Sequence, residues 1–118
     1  MLGEEVGLVR ALRAQGLHGV WVPSARVRHH LPARRLTLEY LWEYNLGVGR
    51  TAVRLDGIPP GRRIAGIPRW LYTRYARLRC WYHLQRWLGR PRWVETLVRA
   101  AHVSGMIREC RALAATRG

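Results

Sequence analysis

The spacing of hydrophobic positions changes twice along the chain. In residues 4–15, Leu8, Val9 and Leu12 fall on one side of a helix. Glu4 and Glu5 occupy its first turn, Arg10 and Arg13 come later, and Gly16 is a natural stop, an order of charge that complements the helix dipole. Residues 19–22 then make a short apolar run closed by Pro23, and residues 25–30 make a second; both read as strands. Two strands are too few for a stable sheet, so the pattern predicts part of a sheet whose other strands are missing.

From Thr37 onward the period is helical. Thr37 is a good N-cap, and Leu38, Leu41, Trp42 and Leu46 form an apolar side beside Glu39 and Glu43. Gly47 and Gly49 are expected to loosen this helix near its end. Asp56, Gly57, Pro59, Pro60 and Gly61 make the clearest linker. Residues 68–88 read as a second helix, with Leu71, Tyr75, Leu78 and Tyr82 on one side. Gly89 and Pro91 break the chain, and a third helix runs from Trp93 to near Ala115. The expected fold is therefore an α+β fragment, mainly helical. A helix and two short strands fill residues 1–36, a helix 37–55, a linker 56–67 and a basic helical hairpin 68–118.

Charge changes this picture more than hydropathy does. The chain has 118 residues, one domain or a piece of one, and a net charge of +14 in which all 21 basic residues are arginine. Residues 34–118 carry 17 arginines against five acids. Such a surface wants an anion, whether lipid headgroup, nucleic acid or acidic protein. Cys80 and Cys110 match no metal or redox spacing, which predicts free thiols in a reducing compartment. Glu4 and Glu5 would spoil the start of a signal peptide, and no apolar run approaches the roughly 20 residues that span a bilayer. The chain is expected in the cytoplasm, able to lie on a membrane without crossing it.

Glu5 is the sharpest candidate for chemistry. A first-turn carboxylate feels the positive end of the dipole, which favours the ionised form that a general base needs. The same pair of acids also serves simply to complement a helix start. His29 and His30 are strand neighbours, so they point to opposite faces and cannot both line one site. No other histidine stands at a ligand-like spacing from them. No glycine-rich phosphate loop and no Asp-x-Asp occurs, so a nucleotide site cannot be drawn from these residues.

The order of these features is more specific than any one of them. Gly3-Glu4-Glu5, then a helix ending at Gly16, then Val-Trp-Val-Pro, then Ala25, Val27, His29, Pro32, Arg35, Thr37 and Tyr40 resembles the C-terminal third of family 2 glycosyltransferases. These are inverting enzymes of the nucleotide-diphospho-sugar transferase (GT-A) fold. The resemblance covers residues 3–54; the remaining tail is similar only in type, being basic and rich in Trp, Leu and Arg. It implies that Glu5 is the base that deprotonates the acceptor hydroxyl, with Glu4 helping to shape the acceptor pocket. Glutamate stands at position 5 where the family more often has aspartate, one methylene shorter. His29 matches a family histidine that in some relatives approaches the metal or the donor diphosphate, a role for which His30 is the poorer match. Arg35 could face the same diphosphate, or be a solvated arginine at a helix entry. The implied cofactor is a divalent metal, Mg or Mn, in the intact enzyme and none in this chain alone. The implied partners are a nucleotide sugar and a glycan or lipid-linked acceptor. Because the donor-binding half is absent from these residues, the chain is expected to be a fragment that is inactive alone.

Residues 68–88 alternate aromatics with arginines: Trp70, Arg74, Arg77, Trp81, Arg86 and Trp87 among them. Packing of these aromatics within the helices comes first, and a basic amphipathic helix at a membrane surface is a close second. A nucleic-acid groove ranks third. Relatives that build cell-envelope glycans at the inner membrane face favour the membrane placement. The rival to the glycosyltransferase reading is thus a small basic helical module that binds anionic surfaces without catalysis. It differs by having no sugar-nucleotide half encoded beside it.

Overall fold

The computed structural model describes residues 4–116 and is mainly helical. Its elements are α1 (Glu4–Ala14), a 3-10 turn (Ala33–Leu36), α2 (Leu38–Asp56), strands β1 (Arg63–Ile64) and β2 (Ile67–Pro68), α3 (Arg69–Trp87) and α4 (Trp93–Ala115). Gly3 of the acidic motif lies outside the described residues, as does the side chain of Glu4.

Helix α2 starts where its cap allows. The Thr37 hydroxyl accepts the Tyr40 N–H at 3.2 Å, Glu39 lies in the first turn, and Gly57 at φ +83° follows the last residue. The helix does not loosen at Gly49. It continues to Asp56, because the glycine serves an inter-helix crossing. A Cβ on Gly49 would collide with the backbone carbonyl oxygen of His102 on α4, and a Cβ on Gly105 of α4 would collide with that of Leu46. Two glycines facing each other in this way let the backbones of α2 and α4 come closer than side chains permit. The helix propensity lost at each glycine, about 1 kcal/mol, is offset by that contact.

Helices α3 and α4 form a tight hairpin. Gly89 takes φ +63°, and the N–H groups of Leu88, Gly89 and Arg90 donate to the carbonyls of Leu84, Arg86 and Gln85, which satisfies the end of α3. Across the hairpin the Thr96 hydroxyl donates to the Gln85 side-chain oxygen at 2.6 Å, and Tyr82 meets Trp93 edge-to-face. The core lies where all three helices meet: Val53 from α2, Leu71 from α3, and Val103, Ile107 and Cys110 from α4.

Ile67 completes that core from an unexpected element. Part of the stretch expected as linker folds into a minimal antiparallel hairpin, Ile64 opposite Ile67, through a turn in which Ala65 and Gly66 both have positive φ. Positive φ at both central residues is what a two-residue hairpin turn requires. Ile67 and Pro68 are buried by this turn, while the indole N–H of Trp70 donates to the Pro60 carbonyl at 3.0 Å and ties the loop down.

The two strands expected at residues 19–22 and 25–30 do not form. Residues 17–22 and 25–32 have no regular secondary structure and no ladder partners, and Val20, Trp21 and Val27 are 84%, 87% and 88% exposed. The reason is physical: a strand satisfies its backbone only through neighbours, and none of the described residues pairs with it. Helix α1 leans on α2 through the exposed Arg10–Asp56 ion pair at 2.8 Å and a small apolar patch of Val6, Tyr44, Val48 and Leu55.

Candidate functional site

Glu5 stands in the first turn of α1, exposed, at the end of the helix where the dipole favours an anion. His29 and His30 are exposed in the segment between α1 and the 3-10 turn. Arg35 belongs to the 3-10 turn, where its guanidinium lies 5.7 Å from the ring centre of Tyr40. Tyr40 in turn stacks on Tyr44 of α2, so Arg35 is anchored to the start of that helix. Among the described residues no hydrogen bond or ion pair joins Glu5, His29, His30 and Arg35. All four lie within the first 35 residues, and the described contacts do not assemble them. No group of three or more His, Cys, Asp or Glu side chains among the described residues could hold a metal ion.

The acid that the structure does organise is Glu109, which sequence reasoning passed over. Its side chain is 5% exposed on α4 and is gripped from α2 by two arginines one turn apart. Arg50 Nε donates to Oε2 at 2.9 Å, Arg54 Nε donates to Oε1 at 2.6 Å, and Arg54 Nη2 donates to Oε2 at 3.2 Å. The Arg54 hydrogen bond, helped by Arg50, holds the Glu109 carboxyl below its usual value against the opposing effect of burial. The same bond raises Arg54. Both carboxylate oxygens are engaged, so Glu109 is a strut between helices rather than a base. The signal for it lay in Arg50 and Arg54 at i, i+4 and in one acid within the otherwise basic second half of α4.

A cationic groove opens between α3 and α4. Arg74 and Trp70 of α3, Arg99 and His102 of α4, and Asn45 of α2 line about 360 Å³ of it. The Arg74 guanidinium stands 6.0 Å from the Trp70 ring centre. Burial, and then the charge of Arg74, push the His102 imidazole down from its ordinary value, so it is neutral at neutral pH. Arg99 also lines the adjoining hollow of about 460 Å³ with Arg77, Trp81 and Leu84. The two hollows therefore share one arginine, and among the described residues no carboxylate lines either. Glu95, one turn before Arg99, makes no ion pair with it among the described residues. At helical spacing Trp70, Arg74, Arg77, Trp81 and Leu84 fall along one stripe of α3, apolar and basic together, and Leu88 at the C-cap continues its line.

Cys110 is buried in the core and its thiol is pushed up by burial, which makes it inert, while Cys80 is exposed and unpaired. Among the described residues no helix is long and apolar enough to cross a membrane. Compared with family models, with curated proteins and with solved structures, the chain matches none.

Proposed function

We propose that this chain is the acceptor-side, C-terminal portion of an inverting, family-2-like glycosyltransferase of GT-A type, and that it does not turn over by itself. In the joined enzyme Glu5 takes the proton from an acceptor hydroxyl, and the resulting alkoxide-like oxygen attacks the sugar carbon of a nucleotide sugar from the face opposite the leaving diphosphate. One transfer forms the new glycosidic bond, breaks the sugar–diphosphate bond and inverts the anomeric centre.

The observation that carries this reading is the unpartnered apolar chain that follows Glu5. Val20, Trp21 and Val27 are side chains of strand-forming type left almost fully in water. Their burial is worth roughly 1.5–3 kcal/mol each, and a sheet contributed from elsewhere would supply it. That same docking would set α1, and with it Glu5, at the edge of an α/β layer. The residues present do not by themselves fit the divalent metal that the resemblance implies, because no group of three or more His, Cys, Asp or Glu side chains among the described residues could hold one. The proton transfer assigned to Glu5 is accordingly written without one.

The DNA preceding the Met1 codon tests the proposal directly. It is expected to encode, in some frame, an α/β half ending in Asp-x-Asp. Joined to that half, the chain should transfer sugar, and Glu5→Gln should reduce the rate by about 10²–10⁴-fold. Unrelated upstream sequence, or sugar transfer by the purified 118-residue chain alone, would sink the proposal.

A second reading is favoured by the exposed stripe of α3, where Trp81 and Leu84 are 46% and 41% exposed beside Arg77 and Arg99. It is peripheral attachment to an anionic membrane, at the inner face of the cytoplasmic membrane if the glycosyltransferase reading holds.

A further inference from the structure

The groove around Arg99 has more definition than a diffuse basic surface. It collects Arg74 and Arg99 from two helices, with a half-buried imidazole at His102 and the amide of Asn45. Among the described residues no carboxylate lines it, and Glu109, the buried acid of the helical unit, is already saturated by Arg50 and Arg54. Two guanidiniums that share a hollow without a counter-charge repel each other until an anion enters. A phosphate offers several acceptors to such a pair, and arginine recognises it through paired N–H groups.

We propose that this groove is a binding site for the phosphate of an anionic lipid headgroup, held by Arg74 and Arg99 beside His102 and Asn45, while Trp81 and Leu84 of the same α3 stripe, with Leu88 at its C-cap, enter the acyl boundary. The proposal rests on the membrane-surface reading and is independent of glycosyl transfer. The choice of lipid over nucleic acid follows from the neighbours. Leu84 and Leu88, 41% and 48% exposed, have no stacking surface for a base but gain by entering hydrocarbon. Trp70, beside Arg74 in the groove, suits the headgroup layer, where an indole keeps one wet edge. The adjoining hollow that shares Arg99 gives the headgroup a continuous path from charge to apolar surface.

The test uses the full chain and phosphatidylcholine vesicles with or without phosphatidic acid, in co-sedimentation. Binding should need phosphatidic acid, and the double variant Arg74→Gln with Arg99→Gln should weaken it by about tenfold or more. The pair Arg108→Gln with Arg111→Gln removes the same charge from exposed positions outside the groove and should cost less than about threefold. In parallel, soluble short-chain phosphatidic acid should move the His102 ring signals in NMR and raise its pKa, since an anion now faces the ring. Equal losses from the two double variants would reduce the site to a general field and overturn it. So would inorganic phosphate that moves His102 fully while vesicles fail to bind. A single-stranded oligonucleotide that displaces vesicles with the same dependence on Arg74 and Arg99 would reassign the groove to nucleic acid. Sugar transfer is not read in any arm, so these failures are distinct from failure of the catalytic proposal.

Discussion

Glu109 shows how one residue fixes the relation of two helices. Its carboxylate is buried while Arg50 and Arg54 reach it from side chains that stay about half in water, so the pair is neither a surface ornament nor a sealed ion trap. Glu109→Gln should destabilise the fold by about 1–3 kcal/mol, the lower end applying because the guanidiniums remain partly solvated. Urea unfolding at pH 7 measures it. The pH sign is also set. Glu109 has a folded-state pKa below its unfolded one, so its contribution is present above about pH 4 and is lost as pH falls through the lower folded value. The wild-type and Glu109→Gln stability curves should therefore converge in acid. His102 acts in the same direction earlier. Its folded pKa is depressed, the unfolded chain binds the proton better, and stability falls as pH drops below about 6.5. At Gly49 the constraint is steric, since any Cβ meets the His102 carbonyl. Gly49→Ala, which raises helix propensity in isolation, should instead lose about 3 kcal/mol by forcing α2 and α4 apart, and a thermal melt will show the sign.

Among the elements, α2 is the one whose limits are written locally. Thr37→Ala removes the cap bond to Tyr40 and should cost about 1 kcal/mol, with fraying confined to amides of the first turn in hydrogen exchange. Helix α3 is different, since one of its sides reaches the core at Leu71 and Tyr82 while the next is exposed and carries arginine, tryptophan and leucine. The core-facing side was legible in the sequence, since Leu71, Tyr75, Leu78 and Tyr82 share one side at helical spacing and all four are buried or packed against neighbours, while the opposite side read only as alternation of aromatics and cations. Which tryptophans are core and which are surface depends on where α4 lies. The segment at 17–32 shows the opposite case. Its side chains are those of strands, yet a strand is a property of a pair, and the partner is not within the described fold.

At the scale of the molecule, the helical unit of α2, α3, α4 and the β-hairpin holds the core, while among the described residues α1 and the segment after it attach through the exposed Arg10–Asp56 ion pair and a small apolar patch. Removal of residues 1–32 should therefore change the stability of the remainder by less than about 1 kcal/mol, as read by denaturant midpoint and unchanged m-value. By itself the sequence determined the four helices closely, at 4–15, from Thr37, at 68–88 and from Trp93 to Ala115, because 3.6-residue periodicity, a threonine cap and glycine–proline breaks act within a few residues of the positions they control. It also determined the sign and location of the charge. Only the tertiary structure decided that Gly49 is a contact rather than a weakness, that Ile67 leaves the linker to enter the core, and that Arg50 and Arg54 converge on Glu109. It alone gathered Arg74, Arg99 and His102 around one groove. Each of these joins residues far apart in the chain, and what a side chain meets across that distance is fixed by how helices cross, which no local pattern encodes.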